Sequence, residues 1–342
     1  MKTVAVDLWA GQLRGFGANQ ATCVARGRSV QPHVDVRAYF VHAYPKFVEA
    51  CRAVEEPGVA LVAVDETTGN PAGIACLRAR VDRYVTAIVG RHDKCDLFLA
   101  GNDRLALRQL AVVLAPVRDW RAGTAAVAFR ILDLRTSEGM IDEGGRPLRG
   151  LRSEGPAIVR CGGYVIYAMP LGDPTDWPTS ATDAWACMPE RVYFDELSRI
   201  PDATRVRNVV PSHSQNTSVV FRMPGPRDTA MPLVTNRDVA GRLQLRGPWG
   251  HATLEVGQQA LRDGVLVGRY ARCDGHGLCV DESLSRVHAL LLQVDDRVLV
   301  IDVASTNGTR LVGREDARVI ELIGDCDLEL GHATSIRWCW AS

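Results

Sequence analysis

Gly268-Arg269, then Ser285-Arg286-Val287-His288, then Asp302-Val303-Ala304-Ser305-Thr306-Asn307-Gly308-Thr309 follow one another in the C-terminal part of the chain. Each run closes or opens an apolar, β-branched stretch. Around them, residues 252–256, 265–269, 287–294, 298–303, 319–323 and 334–340 alternate in the manner of short strands, separated by Gly, Asp and Asn turns. No long helical period intervenes. Many short strands with turn residues between them predict an all-β sandwich over residues 245–342.

The loops of such a sandwich would gather an arginine, hydroxyls, a side-chain amide and a tight glycine turn. That set suits a phosphorylated peptide, because a phosphothreonine carries about two negative charges and several strong acceptor oxygens. A fixed guanidinium answers the charge and hydroxyls or amides answer the oxygens. The three runs, in this order and at these spacings, resemble the forkhead-associated (FHA) domain, a phosphothreonine-binding β-sandwich. The resemblance covers under a third of the chain. It implies that Arg269, Ser285, Arg286, Thr306 and Asn307 contact the phosphopeptide, and that Gly268, His288, Asp302 and Gly308 support the binding loops. Read without it, Arg269 is an exposed surface arginine and Asn307-Gly308 a common hairpin turn.

A weaker copy of the pattern precedes it. Ile88-Val89-Gly90-Arg91 reads like Leu266-Val267-Gly268-Arg269, and a Cys-Asp pair stands four residues beyond each arginine, Cys95-Asp96 and Cys273-Asp274. Ile131-Leu132-Asp133-Leu134 matches Val300-Ile301-Asp302-Val303, with Gly139 in the place of Gly308. The first copy carries about nine extra residues, expected as a longer loop near 117–126. In this register Ala106 stands for Ser285, Leu107 for Arg286, Gln109 for His288, Ser137 for Thr306 and Glu138 for Asn307. A carboxylate at Glu138 repels phosphate, so a diverged FHA-like sandwich over 58–170 is expected to have lost phosphate recognition.

Residues 1–57 read as an N-terminal segment with a short helix after Pro45 that places Phe47, Val48, Cys51 and Val54 on one face. Between Pro170 and Pro248 lie ten of the seventeen prolines, so 171–244 reads as a Pro-rich, partly irregular linker. Within it, 191–200 suggests a short helix and 218–222 a strand. Thr229 and Thr235, if phosphorylated, would be tethered candidates for capture by the domain that follows.

Forty basic and forty acidic residues cancel, which argues against a general nucleic-acid or anionic-membrane binder. No apolar run approaches a membrane span and no signal-peptide pattern opens the chain, so a soluble, cytoplasmic protein is expected. The ten cysteines include no CxxC pair. Cys273, His276 and Cys279 have metal-like spacing but lack a fourth ligand, so neither metal nor cofactor is expected. Nucleophile-elbow, phosphate-loop, zinc-protease and kinase motifs are missing, which points away from an enzyme. The expected role is a phosphothreonine-dependent adaptor in Ser/Thr kinase signalling, partnered by a phosphorylated protein and its kinase. The alternative is a structural scaffold, for example in a secretion or envelope assembly.

Overall fold

The computed structural model describes residues 4–5, 23–24, 35–117, 127–196, 204–206, 217–229, 231–235, 238–276 and 281–341. Within Met1–Asp35, a unit of its own, Val4–Ala5 pairs in parallel with Cys23–Val24. Val36–Ser342 forms a second compact unit that holds both expected sandwiches.

The C-terminal sandwich places a five-stranded sheet over a four-stranded one. The first runs in the order Gly250–Gly257, Val239–Gly247, Thr334–Trp340, Cys326–Leu330 and Thr309–Leu311. The second runs Val265–Val267, Ala289–Val294, Arg297–Asp302 and Val319–Glu321. Period-two alternation sends Leu243, Leu245, Ile336 and Trp338 from one sheet against Val265, Leu291 and Val300 from the other, all buried.

The preceding sandwich repeats this topology. Pro71–Arg78, Gly58–Asp65, Tyr164–Leu171, Ala157–Cys161 and Met140–Asp142 follow the five-stranded order, with Pro147–Leu148 added at the edge. Val85–Gly90, Leu110–Leu114, Phe129–Asp133 and Gly150–Ser153 follow the four-stranded order. Its core joins Leu61, Val159 and Ile166 to Val112, Phe129 and Ile131. The expected long loop near 117–126 falls mostly outside the described residues.

The Pro-rich connection is more structured than its composition suggested. Thr217–Met223 pairs with Gly150–Ser153, and Glu190–Asp195 pairs in parallel with Thr217–Met223. The expected helix at 191–200 is therefore corrected to a strand up to Asp195. Arg191, 0% exposed, is held there by Glu143 at 2.6 and 3.0 Å. A buried guanidinium needs such a partner, and its charge hid the strand from a hydropathy reading. Ahead of the first sandwich, Val36–Ala43 and Val48–Arg52 are helices flanking a 3-10 turn at Tyr44–Lys46. Phe40, Tyr44 and Phe47 cluster there with Tyr167, Trp177 and Trp185, so the Phe47, Val48 and Cys51 stripe is core packing.

A third apolar layer lies between the two sandwiches. Ile88, Ala111, Val113 and Leu132 meet Leu266, Leu290, Leu292, Leu299 and Ile301, all fully buried or nearly so. Each valine, leucine or isoleucine side chain there contributes roughly 1.5–3 kcal/mol by leaving water. Equivalent residues of the two copies supply the two faces, as in a symmetric dimer fused into one chain.

Candidate binding site

The three loop runs meet at one end of the C-terminal sandwich. A Cβ on Gly268 would stand 2.5 Å from the Arg286 carbonyl, so only glycine allows the two loops to approach this closely. Arg269, exposed, follows it and donates its Nε to the Leu284 carbonyl at 2.9 Å. That bond fixes the guanidinium beside Ser285.

Ser285 is buried. Its Oγ accepts the Thr306 N–H at 2.9 Å and lies 3.3 Å from the Thr306 hydroxyl. Thr306 and Arg286 are exposed, on the two loops that this bond joins. Asn307 donates its Nδ2 to the Ser283 carbonyl at 2.8 Å, which ties the third loop to the second and leaves its side-chain oxygen as an acceptor.

Behind these groups lies a buried brace. His288 Nδ1 accepts the Ser285 N–H at 3.1 Å, so the proton sits on Nε2, which donates to the Gly308 carbonyl at 2.9 Å. Burial holds the imidazole below its ordinary pKa and keeps it neutral. Asp302 accepts the Ser305 N–H at 2.7 Å and the Thr309 hydroxyl at 2.8 Å. Gly308, at φ 77°, passes the backbone through a left-handed turn, and the Gly308 N–H reaches Ser305 Oγ at 2.9 Å.

Sequence reasoning missed several members of this brace. Asp281 accepts the Ser283 N–H at 2.8 Å and the Thr334 hydroxyl at 2.7 Å. Burial pushes its pKa upward, but these donors outweigh it and hold the carboxyl below its ordinary value. Ser283 matters through its carbonyl, and a backbone acceptor leaves no side-chain signature. Cys273 of the metal-like cluster is buried in the layer between the sandwiches, with its thiol on the Arg286 carbonyl at 3.3 Å. Cys279 lies outside the described residues.

The first copy keeps the frame and loses the donors. Arg91 Nε reaches the Leu105 carbonyl at 2.8 Å, as Arg269 does with Leu284. Ala106 brings no hydroxyl, and Glu138 forms an ion pair with Arg104 at 2.9 Å.

Residues 265–334 match the family model described as FHA domain, so this part of the chain is an FHA domain. No curated protein matches the chain. Among solved structures, the FHA-1 domain of Mycobacterium tuberculosis Rv1747 is 24% identical over 29% of this chain and 98% of its own, with a TM-score of 0.23. The yeast Dun1 FHA domain, solved with a doubly phosphorylated peptide, is 23% identical over 33% of this chain and 82% of its own, with a TM-score of 0.26. An FHA domain of an Arabidopsis thaliana hypothetical protein is 23% identical over 30% and 88%, also at 0.26.

Proposed function

We propose that the chain is a non-enzymatic adaptor whose C-terminal sandwich binds a phosphothreonine-containing protein, within Ser/Thr kinase signalling. The observation that carries this reading is the Ser285–Thr306 bridge beside Arg269. Two hydroxyls and an exposed guanidinium stand at one loop end, and the N–H groups behind them are held by His288 and Asp302. In this reading Arg269 and Ser285 meet the phosphate, Arg286 adds charge, Thr306 surrounds the phosphothreonine and Asn307 holds the peptide main chain through its amide oxygen. Side-chain bonds to an ionised phosphate are about twice as strong as neutral ones, so phosphorylation decides binding. The test is pull-down of partners on the full chain, before and after phosphatase treatment of the lysate. Partners lost after phosphatase support an adaptor. Partners retained unchanged indicate a scaffold whose contacts ignore phosphate.

A further inference from the structure

The loop Asp302–Gly308 is held from outside its own domain. Arg108, in the first sandwich and 4% exposed, donates Nε to the Val303 carbonyl at 2.7 Å and Nη2 to the Ala304 carbonyl at 2.6 Å. Lys94, one of only three lysines in the chain, donates Nζ to the Thr306 carbonyl at 2.6 Å and approaches Ser305 O at 3.4 Å. Ala304 adopts φ 59°, a left-handed conformation that an alanine enters only at a cost. Four successive carbonyls, from Val303 to Thr306, thus rest on two cations of the neighbouring sandwich.

We infer that the first sandwich is a positioning module for the phosphopeptide loop, with Lys94 and Arg108 as its positioning residues. Losing phosphate recognition freed the first copy for this task, and its surviving frame now presents cations to the second. A loop carbonyl that accepts a charge-assisted bond is fixed more firmly than one bonded to water. Fixing it before the ligand arrives lowers the ordering cost of binding. Neither residue belongs to the set proposed to touch phosphate, so they act through the Thr306 and Ser305 backbone. The functional consequence rests on the phosphothreonine reading; the positioning itself does not.

The test uses the full chain without peptide. Amide hydrogen exchange is followed at Ser305, Thr306 and Gly308, whose N–H groups bond to Asp302, Ser285 and Ser305. Lys94→Ala and Arg108→Met are each expected to speed exchange at these three amides by about three- to tenfold, the size of one or two lost hydrogen bonds. Exchange in the strand Val239–Gly247 should stay unchanged, and Lys94→Arg should restore protection. Lys94→Ala lies at an exposed side chain and leaves the buried layer intact, so it decides the matter if Arg108→Met unfolds. Wild-type exchange at the three amides in Lys94→Ala overturns the inference. With phosphothreonine peptide added, a parallel three- to tenfold loss of affinity in Lys94→Ala is expected. If the wild type binds no peptide, the adaptor reading fails while the exchange result still stands.

Discussion

Gln109 and His288 occupy equivalent places in the two sandwiches and make the same pair of hydrogen bonds. Gln109 Oε1 accepts the Ala106 N–H at 3.0 Å and Nε2 donates to the Gly139 carbonyl at 3.1 Å. His288 does both at 3.1 and 2.9 Å, to Ser285 and Gly308. One acceptor and one donor, set apart by the width of a side chain, close the loop end of each copy.

His288→Gln should therefore keep the fold at a cost under about 1 kcal/mol. His288→Ala should cost about 1–3 kcal/mol, because it strands the buried Ser285 N–H, while the Gly308 carbonyl keeps the Gly331 N–H at 3.1 Å. Urea denaturation of the two variants separates these outcomes.

Protonation of His288 would turn Nδ1 from acceptor to donor and break its bond to Ser285. Its folded pKa lies below the usual 6.5, so the unfolded chain takes up the proton first. The sign follows: this contribution to stability is intact above pH 6.5, declines as pH falls from there, and is lost below the folded pKa. The slope is at most about 1.4 kcal/mol per pH unit. Denaturation between pH 7.5 and 5 should show this decline in wild type and a flatter curve in His288→Gln.

Arg135 Nη2 donates to both carboxylate oxygens of Asp274 across the two sandwiches, at 2.8 and 3.0 Å, and both side chains are almost fully buried. Asp274 also accepts the Leu266 N–H at 2.9 Å. Asp274→Ala leaves a buried guanidinium uncompensated and should destabilise by about 3–5 kcal/mol. Adding Arg135→Met should recover a large part of that loss, as thermal melts of the single and double variants would show.

The isolated segment 238–342, which keeps the whole strand Val239–Gly247, would uncover Leu266, Leu290, Leu292, Leu299 and Ile301. A contiguous apolar face of this size drives association. Light scattering after size exclusion is expected to show dimers or larger species for the segment and a different, smaller association for the full chain. A monodisperse monomeric segment would contradict the stacked arrangement.

Much of this was legible because the loops carry their chemistry in side chains. Gly268-Arg269, Ser285, His288 and Asn307-Gly308 each announce a turn, a donor or an acceptor. The internal repeat was legible for the same reason, through Gly90-Arg91 and Cys95-Asp96. The docking of the copies was not, since Ile88, Val113, Leu290 and Leu292 alternate just as strand residues facing a sandwich interior do. Lys94 and Arg108 were invisible because each bonds to backbone carbonyls far along the chain, which no local spacing encodes. The strand Thr217–Met223 was legible at 218–222 because the surrounding prolines lie outside it, whereas Glu190–Asp195, carrying the buried charge of Arg191, read as a helix.

The most direct measurement is calorimetric titration of the full chain with a phosphothreonine peptide, beside its phosphoserine and unphosphorylated forms. One peptide per chain is expected, at roughly micromolar strength or about −8 kcal/mol. Arg269→Ala should abolish binding and Arg91→Ala should leave it unchanged. Two peptides per chain, equal binding of the unphosphorylated peptide, or survival of binding in Arg269→Ala would contradict the account.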